Sequence, residues 1–217
     1  MAFLLMLLPI LILMPILILL VAMDVITISY AELGVSQSAA LALLVATLIG
    51  SMINIPISRK NVEFEEPKNT LSRYFYFSSG PPRVSKQTIA VNVGGALIPA
   101  AFSIYLMPHA PFWPTLVSTL VVVLVARVFA RVVPGQGITM PAFITPLVSA
   151  GLALLLARDH PAPVAFISGT LGTLIGADLL NWPNYKKLGP SMISIGGAGV
   201  FDGVFLSGIL AVALSAV

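Results

Sequence analysis

The chain has 217 residues, of which 58% are hydrophobic and 9% are charged, whereas soluble domains carry about 25% charged residues. This imbalance excludes an ordinary soluble core and indicates a membrane protein. Because the sequence has no cysteine, disulfide frameworks and thiolate metal sites are excluded. The net charge of +3 comes from basic residues beside apolar runs, so we expect no nucleic-acid partner. We also expect no metal and no cofactor.

The apolar residues fall in runs of about twenty, the length that crosses roughly 30 Å of hydrocarbon as a helix. Prolines lie at or near the ends of most runs, where a helix stops. The first run lacks the basic start of a secretory signal, so we expect it to be retained. We predict an all-α bundle that forms a single transmembrane domain over residues 1–217. Its seven spans are 2–23, 37–57, 87–107, 113–133, 140–157, 164–182 and 193–217.

Lysine and arginine predict the orientation of this bundle, because short cytoplasmic loops collect them. With seven spans, ten of the 11 basic residues fall on one side and only Arg158 falls on the other. We therefore expect a cytoplasmic N-terminus, an external C-terminus and a multi-pass protein of the cell membrane, with lipid as a partner. The cytoplasmic loop 58–86 is too short and too polar to bury a core of its own.

Two aspartates, Asp178 and Asp202, lie within the sixth and seventh predicted spans. A charged group inside the bilayer costs about 2.5 to 3.5 kcal/mol on insertion scales, so it usually serves a function. The sixth span descends to the cytoplasm and the seventh rises from it, so the two carboxyls can meet. Two close carboxyls share one proton, which suits acid-base hydrolysis of a membrane-embedded peptide. The same pair suits coupled movement of a small solute.

Glycines surround Asp202 in the sequence: Gly196, Gly197, Gly199 and Gly203. They permit a broken helix that forms a substrate or ion site, or they simply allow close helix packing. The stretch 195–198 resembles Val93-Gly94-Gly95-Ala96, in a span that runs in the same direction, although four residues are weak evidence of duplication.

Further polar residues and the absence of certain motifs narrow the set of possible reactions. Asn92 and Asn181 either line a polar cavity or make interhelical hydrogen bonds. The sequence has no His-Glu-x-x-His motif, and both histidines fall in exported loops. Of the intramembrane hydrolase mechanisms, only the aspartyl one is therefore left.

Three stretches resemble an uncharacterised prokaryotic membrane family known as domain of unknown function 1614. They run from Gly80 to Arg83 and on to 92–99, from 168 to 178, and from 196 to 206. The resemblance implies a polytopic membrane protein and no particular activity.

The arrangement of Asp178 and Asp202 is also similar to that in presenilin and signal peptide peptidase, whose two catalytic aspartates lie on consecutive antiparallel helices. Gly199 to Asp202 keeps the first glycine of the Gly-x-Gly-Asp motif, whereas Phe201 replaces the second. This likeness implies that both aspartates are catalytic.

Three hypotheses follow. The first is an intramembrane aspartyl hydrolase that uses Asp178 and Asp202. The second is a proton- or cation-coupled small-solute transporter or channel. The third is a non-catalytic scaffold whose aspartates bond helices together. Any of the three is compatible with a homo-oligomer.

Overall fold

The computed structural model describes residues 33–64, 83–133, 137–188, 192–197, 204 and 206–207. The first predicted span, most of the seventh and the middle of the 58–86 loop lie outside these residues. The described chain is mostly helical. Its α-helices are α1 (Gln37–Gly50), α2 (Ile98–Leu106), α3 (Phe112–Phe129), α4 (Ile144–Leu156) and α5 (Pro161–Thr173).

Two of these helices are extended by tighter or wider turns. A π-helical turn, Val93–Leu97, leads into α2, and a short 3-10 helix, Met107–His109, follows it. The last turn of α5 passes into a second π-helical turn, Leu174–Asp178, and then into a 3-10 helix, Leu179–Leu188.

The prediction of an all-α fold is wrong, because the described residues also contain β-strands. They are β1 (Asn54–Phe64), β2 (Arg83–Asn92), β3 (Arg131–Val133), β4 (Gly137–Thr139) and β5 (Met192–Ile195). One sheet has the order β1-β2-β5, with β1 antiparallel and β5 parallel to β2. In the second sheet β3 pairs with β4 in antiparallel register.

Several predicted spans therefore change secondary structure before they end. The run 37–57 is helical only to Gly50, 87–107 begins as a strand, and 113–133 ends as one. The run 193–217 also begins in a strand, and both ends of the 58–86 loop are strands. Short apolar runs rich in valine and isoleucine fit a strand as well as a helix, and only pairing with distant partners decides between them.

Two helices of the described chain are long and apolar enough to cross a bilayer, Phe112–Phe129 and Pro161–Tyr185. They differ in position, since 78% of the most apolar 18-residue stretch of the second helix is buried, compared with only 17% of the first helix. α5 and its extension therefore form the centre of the fold, with α2, α3 and α4 packed around them. On the outer face of α3, Trp113, Leu124 and Val128 are exposed.

The buried side chains form separate clusters around α5. One joins the sheet to the 3-10 helix through Ile89, Ile193, Tyr185 and Leu188. Another joins α1, α2 and α5, where the rings of Phe102 and Phe166 meet edge to face at 5.1 Å. The first cluster holds β5 against β2 and so fixes the chain that follows β5.

Candidate functional site

Asp178 is the last residue of the π-helical turn that extends α5, and only 1% of it is exposed. Its Oδ2 accepts a hydrogen bond of 2.6 Å from the backbone N–H of Gly196. Its backbone carbonyl accepts a bond of 3.0 Å from the Tyr185 hydroxyl. The carboxylate therefore faces the turn at the end of β5, and the 3-10 helix holds the backbone behind it.

Gly196 adopts a left-handed backbone, with φ of +69°, which favours glycine because it has no Cβ. A Cβ at this position would also lie 2.6 Å from both the carbonyl carbon and the oxygen of Gly95. The turn after β5 is thus packed directly on the π-helical turn after β2. We call Asp178, Gly95 and Gly196 the Asp178 junction.

The junction brings together the two similar Gly-Gly-Ala stretches of the sequence. β2 and β5 are parallel, and Val91 pairs with Ile195, so both strands end at the same edge of the sheet. Gly94 and Gly95 follow β2, Gly196 and Gly197 follow β5, and the two pairs meet where Gly95 lies against Gly196. The likeness between them therefore coincides with contact in space.

Asn92 shapes the β2 side of the junction. Its Oδ1 accepts a 2.6 Å bond from the N–H of Gly95, which caps the π-helical turn. Its Nδ2 donates to the carbonyl of Ser51 at 2.7 Å and to Asn54 Oδ1 at 3.2 Å. Asn54 Oδ1 in turn accepts from the hydroxyl of Ser194 at 2.5 Å. These bonds tie α1, β1, β2 and β5 together beside Asp178.

The structure places the sequence-predicted site residues in three groups. Asp178, Asn92, Gly196 and Gly197 lie at or beside the junction. Asn181 makes hydrogen bonds within its own helical segment: its Nδ2 donates to the carbonyl of Ala177 at 2.7 Å, and its Oδ1 accepts from Asn184 Nδ2 at 3.2 Å. Asp202, Gly199 and Gly203 lie outside the described residues, so the pairing of Asp178 with Asp202 stays a prediction.

Sequence reasoning overlooked a set of buried hydroxyl groups on the central helices. Ser118, Thr145, Thr170 and Thr173 have side-chain oxygens that are fully enclosed and lack a hydrogen-bond partner within the described residues. Other helical hydroxyls bond back to their own helix, as Ser103 does to Pro99 and Thr119 does to Thr115. Serine and threonine inside apolar spans were a usable signal, but which of them bond locally depends on side-chain direction.

Metal-binding side chains do not gather at the described part of the junction. Among the residues that the structure describes, no three histidine, cysteine, aspartate or glutamate residues lie close enough to hold a metal ion. Within the described part of the chain, the chemistry available there is that of one buried carboxyl group, backbone N–H groups, amides and hydroxyls.

These features define a mostly helical protein with two candidate membrane-spanning helices and a buried carboxylate at a glycine-lined turn. Residues 48–214 match the family described as "Protein of unknown function (DUF1614)". Since the match covers more than half of the chain, the protein belongs to this family. No curated protein and no solved structure matches the chain. The similarity in arrangement to presenilin and signal peptide peptidase therefore stays a prediction from the sequence alone.

Proposed function

We propose that this protein is a multi-pass membrane transporter or channel that moves a proton or cation, alone or with a small solute, and that Asp178 carries the coupled charge. The observation behind the proposal is that the carboxylate of Asp178 is almost fully buried and accepts a hydrogen bond from the backbone N–H of Gly196. Within the described chain, no lysine or arginine pairs with it.

A carboxylate in this environment is stable when it is protonated or when a cation lies beside it, because burial of an unpaired charge is costly. A group that gains and loses a proton or cation in this way supplies the coupling step of a transporter. The glycine turns support the same role. Irregular backbone at membrane depth is tolerated where protein covers it or where it lines a cavity.

Membrane insertion is supported by the outer faces of the helices. Large apolar side chains are exposed on α1, α3 and α4, among them Leu48, Leu124 and Leu155. Exposed apolar area of this extent marks a surface that meets lipid or another protein. The ten-to-one distribution of basic residues adds the proposed orientation, with the 58–86 segment in the cytoplasm.

The test is flux through liposomes that contain the purified full chain. A pH-sensitive dye inside reports proton uptake under a potassium diffusion potential, and radioactive sodium reports cation uptake. We expect wild-type protein to raise at least one flux above that of empty liposomes. Asp178→Asn keeps the size of the side chain but cannot carry the charge, so it should abolish that flux.

Asp159→Asn is the matched control, because Asp159 is exposed between α4 and α5 and should not affect transport. Wild-type protein with no proton or sodium flux, or an Asp178→Asn variant with wild-type flux, would overturn the proposal.

Intramembrane aspartyl hydrolysis remains a second candidate, favoured by one observation. The bond from Gly196 to Asp178 Oδ2 brings the segment that leads to Asp202 next to the first carboxyl. Cleavage of a reconstituted transmembrane peptide, lost in both Asp178→Asn and Asp202→Asn, would support this candidate. Full cleavage by either variant would exclude it.

A further inference from the structure

The exposed apolar stripe of α3 ends in a basic residue, at the end of the helix that leads into β3. Trp113, Leu120 and Leu124 are exposed on the outer face of α3, and Arg127 follows Leu124 by three residues and is also exposed. Spacings of seven, four and three residues keep all four side chains on one face of a helix. Arg131, at the start of β3, is exposed as well.

The 3-10 helix places a second group of exposed apolar side chains at this end of the fold. Leu179, Leu180 and Trp182 are exposed. β3 contacts the 3-10 helix, and Ala126 of α3 belongs to the same buried cluster as Tyr185 of the 3-10 helix. The last turn of α3 and the 3-10 helix are therefore packed together, with basic and apolar side chains exposed around them.

The β1-β2-β5 sheet adds basic side chains at the same end. On β2, Gln87 and Ile89 are buried toward the 3-10 helix, whereas Lys86 is exposed, because successive residues of a strand point to opposite faces. Arg59 of β1 is exposed and pairs with Thr88, two residues from Lys86. Arg59 and Lys86 therefore share the outward face of the sheet.

Charge differs between the two sides of the predicted bundle. The side that carries the sheet has ten basic residues and, outside the spans, only the three glutamates of the 58–86 loop. The opposite side has one basic residue and three acidic residues: Arg158, Asp24, Glu32 and Asp159. A cluster of about four to eight basic residues beside a membrane-spanning helix is typical of proteins that bind anionic lipids.

The position of the apolar side chains favours lipid over an acidic protein as the partner. Arg127 continues a stripe that is apolar over the rest of the helix, and Trp182 is exposed on the element packed beside it. Tryptophan and the ends of long basic side chains are both common at the level of the lipid headgroups. A surface for a soluble acidic protein would need the charges but not the apolar stripe that leads to them.

We propose that this end of the protein selects anionic phospholipids, whose phosphate groups contact Arg127 and Arg131 while their acyl chains pack beside Trp182. The basic side chains of the sheet, Arg59 and Lys86, add to the attraction. The proposal rests on the membrane insertion proposed above but not on transport, and it can be tested in protein that transports nothing.

The experiment uses the two tryptophans of the chain, which lie at opposite ends of the bundle. Trp113→Phe leaves Trp182 as the reporter, and Trp182→Phe leaves Trp113. Each full-length variant is reconstituted in vesicles of equal parts phosphatidylglycerol and phosphatidylcholine, with bromine on the acyl chains of one lipid at a time. Bromine quenches the fluorescence of a tryptophan that it touches, so the two quenching values give the relative affinity of the two lipids.

We expect phosphatidylglycerol to be favoured about fivefold at Trp182, because one basic residue beside an anionic surface contributes about this factor. At Trp113 we expect no preference. An increase in salt from 0.1 to 1 M should reduce the preference at Trp182, because the screening length falls from about 10 to about 3 Å.

Arg127→Gln with Arg131→Gln, in the Trp113→Phe protein, should remove the preference at Trp182. Both arginines are exposed, so the fold should not change, and unchanged quenching in brominated phosphatidylcholine alone checks this. Arg158→Gln is the matched control, because Arg158 is exposed at the opposite end, and it should keep the full preference.

Equal quenching of Trp182 by the two lipids would overturn the proposal, and the basic surface would then fit an acidic protein better. A preference that survives in the double arginine variant would overturn it as well. Quenching of neither tryptophan would contradict membrane insertion and would remove the lipid surface with it. A preference for phosphatidylglycerol in a protein without flux would support the lipid surface and remove the transport proposal.

Discussion

At the scale of single residues, glycines decide where the backbone can approach itself. Gly94, in the π-helical turn after β2, lies against the carbonyl of Thr47 and the N–H of Ser51 at the end of α1. A side chain there would collide with backbone, which cannot rotate away as a flexible side chain can. The contact between α1 and the Asp178 junction therefore depends on this position.

We predict that Gly94→Ala lowers the free energy of unfolding by about 3 kcal/mol, near the upper end of the usual cost of overpacking. Unfolding in mixed detergent micelles measures the change. Gly151→Ala is the matched control, because its Cβ would enter open space. A loss for Gly94→Ala no larger than that of the control would contradict the packing described here.

The sequence singles out Asp178 as a candidate site residue, because an acid within an apolar run is costly and therefore rarely accidental. Its hydrogen-bond partner was not predictable. Gly196 is 18 residues further on, and its N–H points at the carboxylate only because β5 pairs with β2 and the next residue turns with a positive φ.

At the scale of elements, the main correction is that helices pass into strands at one end of the fold. Apolar run length identified the helices α1 to α5 but extended α1, α2 and α3 into β1, β2 and β3, and the seventh predicted span begins in β5. The periodicity of short runs does not separate strand from helix, and the parallel pairing of β2 with β5 joins residues about a hundred positions apart. No local signal in the sequence carries that information.

The β2-β5 register can be tested with cysteines, since the chain has none of its own. Thr88 pairs with Met192, and paired strands lie about 4.8 Å apart, within the range of a disulfide. We predict that Thr88→Cys with Met192→Cys forms an intramolecular disulfide on mild oxidation, detected by mass spectrometry. In the control pair, Lys86→Cys with Met192→Cys, the partners are displaced by two residues. Equal cross-linking of both pairs would contradict the register.

At the scale of the whole molecule, α5 is enclosed while α3 presents apolar side chains outward, as expected of a bundle whose outer helices face lipid. The sequence predicted the apolar character correctly from composition. It did not predict which span is central, because that depends on the small residues Gly169, Gly172 and Gly176, which let neighbours approach α5 closely.

The proposed orientation predicts which side of the membrane each loop occupies. A single cysteine at Asp159 should react with a membrane-impermeant maleimide in intact cells. One at Lys86 should react only after the membrane is permeabilised, because the basic segments are expected in the cytoplasm. Both positions are exposed, so a difference in labelling cannot come from burial of one cysteine. Labelling of Lys86→Cys in intact cells would contradict the proposed orientation.

We propose that the buried carboxyl of Asp178 gains and loses charge while the protein transports a proton or cation. The pH dependence of flux through liposomes tests it most directly, measured for wild type, Asp178→Glu and Asp178→Asn. We expect a titration step in the wild type, a shifted step in Asp178→Glu and no such step in Asp178→Asn. The same step at the same pH in all three proteins would contradict it.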